Sequence, residues 1–292
     1  MTTTLTADTA SSRTTQLRRG LIAFAACEVV VTVGLVLVAR ANGAGIDHLD
    51  DASPVAQLAL FGGAFVPALS MLMAWLASGI APEWGFRRVG LRLLAVAWVV
   101  PVLAALLAYV PAWSTSIAGF DVTDLEENFG GLPAPAAMLV AILPGLVPWI
   151  ALALGEQLGW SSWFVVRLSE LTSRPVVATS YGIGWALAHV PMMLLVPGAI
   201  PGGIPTWYAV AMFMVQTVSM GWPMVWLRLE GRSIWPVVVL HAGLNASIYF
   251  VGDLLTVEGS STHWFIGEGA LLTSVGMAVA VLLTARWWRQ ER

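Results

Sequence analysis

Eight apolar runs, each about twenty residues long, leave this chain few ways to fold. A helix that crosses a bilayer needs ~20 mostly apolar residues. The runs lie near 20–39, 55–78, 93–113, 135–156, 176–196, 206–227, 234–251 and 264–285. Runs of this length favour helices over strands. Only 11% of the 292 residues are charged, against roughly 25% in soluble domains, so a soluble core of this size would go uncoated. Disorder needs low hydrophobicity, and 58% of these residues are hydrophobic. The expected fold is all-α, a polytopic membrane protein of about eight transmembrane helices. Residues 1–17, rich in Thr and Ser, read as a polar disordered cytoplasmic tail, and 18–292 as a single helical membrane domain. The longest polar connection, about 114–134, is too short to fold alone.

The charges divide by side. All fourteen basic residues are arginine. Arg13, Arg18 and Arg19 precede the first run, and alternate connections hold Arg87, Arg88 and Arg92, then Arg167 and Arg174, then Arg228 and Arg232. The C-terminal segment holds Arg286, Arg289 and Arg292, and only Arg40 falls on the other side. Cytoplasmic connections are enriched in arginine, so eight spans with both termini cytoplasmic is the consistent topology. The first run reads as a retained anchor rather than a signal peptide, being long for one. The net charge of −3 excludes a polybasic nucleic-acid binder. A single cysteine, Cys27, excludes an internal disulfide framework and a Cys-based zinc cluster. Arginine-only, Ala- and Gly-rich usage points to a bacterial protein of the plasma membrane.

Ionisable groups inside a membrane are costly and mark function. Glu156 interrupts a stretch, 134–166, with no other charge. As one helix that stretch would run about 50 Å, longer than the ~30 Å hydrocarbon core. It must therefore tilt, kink or break, and Pro144, Pro148, Gly155 and Gly159 offer places to do so. A carboxylate beside such a break either serves as a general base or caps the end of the span. His189 stands alone in the fifth run. In the seventh, His241 and Asn245 are spaced i, i+4 on one helix face. An imidazole and a carboxamide side by side provide two donors for one oxyanion, or a helix–helix hydrogen bond. Glu28 and Glu268 lack partner motifs and read as structural, and Gln216 as an interhelical hydrogen-bonding side chain. Glu156, His189, His241 and Asn245 together suit water activation and oxyanion stabilisation. Glu156, His189 and His241 alternatively suit a divalent metal such as zinc, and a proton-coupled transporter is a further reading. Neither an HExxH helix nor a G-x-S-x-G elbow is present.

In order, the segments Glu156-Gln157-Leu158-Gly159-Trp160-Ser161, Trp185-Ala-Leu-Ala-His189 and His241-Ala-Gly-Leu-Asn245 resemble the three motifs of the CPBP family. These are the CAAX-protease and bacteriocin-processing, or Abi-type, intramembrane proteases. The resemblance covers about 135–250. It implies an intramembrane endopeptidase acting on a membrane-associated peptide or protein. Glu156 and His189 would activate water, and His241 and Asn245 would hold the oxyanion. The family is often called a metalloprotease, and a metal-free glutamate mechanism is also argued for it. Two positions depart from the family pattern E-E-x-x-x-R, in which Gln157 replaces the second Glu and Ser161 the Arg. A degenerate member would act instead in bacteriocin immunity or as a peptide-binding scaffold.

Overall fold

The computed structural model describes residues 3–143 and 145–289. Helices α1 (Thr3–Ala41), α2 (Pro54–Gly62), α3 (Val66–Ser78) and α4 (Leu91–Trp113) form the first half. A two-residue strand β1 (Gly119–Phe120) and α5 (Thr123–Asn128) occupy the connection to α6 (Ala134–Ile142). Helix α7 (Leu146–Gly159) continues through a π-helical turn, Trp160–Phe164, into α8 (Val165–Leu168). The long helices α9 (Arg174–Leu195) and α10 (Thr206–Gly231) follow, then α11 (Trp235–Ser247), itself extended by a π-helical turn. Strand β2 (Thr256–Val257) pairs antiparallel with β1, and α12 (Thr262–Phe265) and α13 (Leu271–Trp288) end the described chain. This is an all-α polytopic membrane protein.

Seven helical segments are long and apolar enough to span a bilayer, one fewer than the eight runs. The difference is α9, whose interior holds Thr179, Ser180, Tyr181, Gly182, Gly184 and His189. Packing places α9 across the same thickness as its neighbours. Its first residue, Arg174, pairs with Glu230 at the end of α10. At its last, the Leu195 carbonyl accepts from Arg40 at the end of α1.

The arginine-bearing connections meet at one end of the bundle. Arg13 bonds Glu170, Arg167 bonds the Ala81 carbonyl, and Arg228 bonds the Glu83 carbonyl. Arg292 lies outside the described residues. The segment expected to be a disordered tail is instead helical from Thr3, continuous with the first span. Two contacts tie it down: Leu17 is buried, and Arg13 forms an ion pair with Glu170.

The fourth run breaks as its length requires. Helix α6 stops at Ile142 and α7 starts at Leu146, on either side of Pro144, which itself lies outside the described residues. The second irregularity, the π turn after Gly159, follows the Glu156 segment directly, and such turns recur at functional sites.

Candidate active site

The site is assembled where α7, α9 and α11 meet. Helix α7 is seated by two glycines one turn apart. A Cβ on Gly155 would stand 2.7 Å from the Ala64 carbonyl oxygen, and one on Gly159 only 2.0 Å from that of Pro67. Only glycine allows α3 and the turn before it to lie against α7 this closely. With that face fixed, the next residue after Gly155 is rotated ~100° around the helix, and Glu156 faces a cavity. Gln157, a further ~100° around the helix, points into the core and is fully buried.

The cavity encloses about 360 Å³. Glu156, His189, His241 and Asn245 all line it, as do Trp149, Trp160 and Trp185. Four residues singled out from three separate runs therefore open onto one space. Gly243, between His241 and Asn245, admits a close neighbour: a Cβ there would meet Pro101 of α4 at 3.0 Å.

Trp185 connects two of the polar groups. Its indole Nε1 donates to Glu156 Oε2 at 2.7 Å, and its backbone carbonyl lies 2.9 Å from His189 Nδ1. A carbonyl only accepts, so the proton of a neutral His189 is assigned to Nδ1. Its Nε2 is then a free acceptor.

His241 has the opposite arrangement. Tyr181 Oη donates to Met224 Sδ at 3.0 Å and accepts from Gln157 Nε2 at 2.9 Å. Ser161 Oγ donates to Gln157 Oε1 at 2.6 Å. The amide nitrogen of Gln157 thus faces His241 Nδ1, at 3.4 Å, which assigns the His241 proton to Nε2. That Nε2 lies 3.9 Å from Glu156 Oε1. Trp185 also packs edge-on against His241, ring centroids 4.8 Å apart. The two departures from the family pattern, Gln157 and Ser161, bond each other and orient His241.

Three further groups at the cavity were not assigned to the site from sequence. Glu28 of α1, buried, accepts from Ser70 Oγ at 2.9 Å. It lies within electrostatic reach of Glu156 and His189. Glu268 accepts from Tyr249 Oη at 2.5 Å. It sits in the connection before α13, since that helix begins at Leu271 rather than near 264 where the eighth apolar run starts. Glu28, Glu268 and Tyr249 all line the cavity. The signal for Glu28 was present in the sequence, as a carboxylate in an apolar run. Gln216 is buried and accepts from the Gly269 backbone N–H at 3.0 Å, so it ties α10 to the connection before α13 rather than to another helix.

The donor set anticipated for a metal, Glu156, His189 and His241, does not fit one in this arrangement. Among the described residues no group of three His, Cys, Asp or Glu side chains converges as metal ligands would.

Residues 137–247 match the family model for type II CAAX prenyl endopeptidases, Rce1-like. The match covers a little more than a third of the chain, from α6 to the end of α11, and contains Glu156, His189, His241 and Asn245. The same stretch carries the three segments that resemble the CPBP motifs. No protein of curated function matches the chain.

Proposed function

We propose that this membrane protein is an endopeptidase that hydrolyses a peptide bond of a membrane-tethered peptide, using water activated by Glu156 and His189. Support comes from the match over 137–247 and above all from the opposed settings of the two histidines. His189 offers a bare Nε2, which takes a proton from water. His241 offers an Nε2–H, which donates to the oxyanion that forms when water adds to the carbonyl. Asn245, one turn further along α11, supplies the second donor to that oxyanion. Glu156 is held by the Trp185 N–H on one oxygen, leaving the other turned toward His241 and the reacting centre. The water proton passes through Glu156 or His189 to the leaving amine, which needs it as the C–N bond breaks.

The aromatic and apolar walls of the cavity suit an apolar or lipid-bearing segment, in keeping with the prenylated substrates named in the family description. In this reading both termini face the cytoplasm, by the arginine distribution, and the membrane is a bacterial plasma membrane.

The test is cleavage of a membrane-tethered reporter peptide by the purified protein in lipid nanodiscs. Glu156→Gln and His189→Ala are each expected to abolish turnover while melting as the parent does. Full turnover in both would overturn the mechanism. A physiological activity that survives Glu156→Gln would favour the peptide-binding scaffold instead.

A further inference from the structure

The arginine-rich end of the bundle carries a second recess, separate from the cavity and of about 550 Å³. Three guanidinium groups line it, those of Arg87, Arg228 and Arg232. None of the three forms a salt bridge among the described residues. The carboxylate at the rim, Glu83, is half-exposed and sits 3.6 Å from a different arginine, Arg167.

Arg228 is 2% exposed. Among the described residues its hydrogen bonds run to neutral backbone carbonyls, Nε to Ser161 at 3.0 Å and Nη2 to Glu83 at 2.7 Å. These fix the group, and the Glu83 carboxylate acts on it through space without forming an ion pair with it. The loop over it is shaped to the guanidinium. Gly85 has φ +71, and a Cβ there would meet Arg228 Nη2 at 3.2 Å and the Ile234 backbone nitrogen at 3.0 Å. Two hydrogen bonds pin this loop to the start of α11, Ile234 N–H to the Gly85 carbonyl and Ser233 Oγ to the Arg87 carbonyl. Arg87 and Arg232 are thereby held at one mouth.

A second, independent observation concerns Arg232. It is the sole non-glycine residue with positive φ among the described residues, at φ 48. This left-handed conformation is strained for an L side chain, and glycine would adopt it freely. Here the strained position holds a cation that opens onto the recess. Trp84 and Phe86 stand beside it, 42% and 53% exposed, and such rings prefer the membrane–water interface.

We propose that this recess binds the phosphate of an anionic phospholipid headgroup. Guanidinium forks match phosphate oxygens two at a time. The exposed aromatic rim favours a phosphate presented by the membrane over one free in solution. The site is independent of the catalytic reading, since none of its lining residues faces the cavity.

The experiment measures the melting temperature of the full chain in neutral detergent. It is titrated with phosphatidylglycerol, with phosphatidylcholine and with inorganic phosphate. Phosphatidylglycerol is expected to raise the melting temperature saturably, and phosphatidylcholine to leave it unchanged. The Arg87→Gln/Arg232→Gly variant is expected to need about 25-fold more phosphatidylglycerol, about fivefold for each arginine. Arg232→Gly relieves the left-handed strain, so this variant should melt no lower than the parent without lipid. Arg18→Gln/Arg19→Gln removes the same charge elsewhere and should respond as the parent does. An unchanged response in the first variant, or an equal loss in the second, would overturn the pocket. Inorganic phosphate acting as strongly as phosphatidylglycerol would overturn the lipid assignment.

Discussion

Trp185 is the residue on which the geometry of the site most depends. One side chain N–H holds Glu156, and the carbonyl of the same residue sets the tautomer of His189. Phe at this position would fill much of the space without offering a donor. Trp185→Phe should therefore keep the fold and lose the bond to Glu156. A hydrogen bond to a charged group contributes about 1.5–3 kcal/mol, so kcat/KM should fall about ten- to a hundredfold with the melting temperature nearly unchanged. Turnover equal to the parent's would show that Glu156 does not need this donor. Gln157→Ala should act differently. It strands Tyr181, Ser161 and the Nδ1 of His241 without their buried partner, and leaving such groups unpaired costs about 1–3 kcal/mol each. Both stability and turnover should fall, as a paired melting and kinetic measurement would reveal.

Individual residues were legible in the sequence to different degrees for a physical reason. Glu156, His189, His241 and Asn245 stood out because charge is scarce and polar groups in apolar runs are costly. The role of Trp185 did not stand out, because an indole in an apolar run is ordinary. Glu28 and Glu268 are visible as polar residues in apolar runs but, lacking partner motifs, read as structural. Nothing along the chain says that α1 and the connection before α13 border the same cavity as α7. Likewise, Ser161 read as the loss of an arginine. Across the bundle, Arg228 of α10 supplies a guanidinium to the Ser161 carbonyl, 67 positions away.

At the scale of elements, the close seat of α7 on α3 sets the direction of Glu156. The pattern of glycines was visible in the sequence, and their use as contact points rather than only as kinks was not. Gly159→Ala would place a Cβ 2.0 Å from the Pro67 carbonyl oxygen, backbone that cannot swing aside. Overpacking of this kind costs about 1–3 kcal/mol. The variant should melt lower and also turn over more slowly, because α7 carries Glu156 and Gln157 together. An unchanged melting temperature would mean that α3 and α7 are free to separate. Helix α9 teaches a related lesson. Hydropathy alone leaves it out of the spans, since the small and polar residues that serve the site lower its mean. Its two ends, bonded to α10 and α1, place it across the bundle.

For the whole molecule, the division of arginines seen in the sequence becomes a physical assembly at one end. The first helix is attached there through Arg13, Glu170 and Arg167. Partial burial raises the pKa of the Glu170 carboxyl, and hydrogen bonds from Arg167 and Arg13 outweigh it, so the net shift is downward. A carboxyl held below its unfolded value stabilises the fold above that value and ceases to do so as pH falls through the lowered one. Melting temperature should therefore decline on acidification from the ordinary Glu range, about 4.3, downward. Arg13→Ala should show a shallower decline over the same interval, and identical pH profiles would argue that the pair does not tether the N-terminal helix.

In the proposed chemistry Glu156 acts as a base toward water rather than attacking the peptide itself. A single turnover in water enriched in oxygen-18, with hydroxylamine present to trap any acyl-Glu156 anhydride and followed by mass spectrometry of product and protein, separates the two. The new carboxylate of the product should carry one heavy oxygen and the Glu156 side chain none. Heavy oxygen in Glu156 after one turnover, or a product carboxylate without it, would contradict the mechanism.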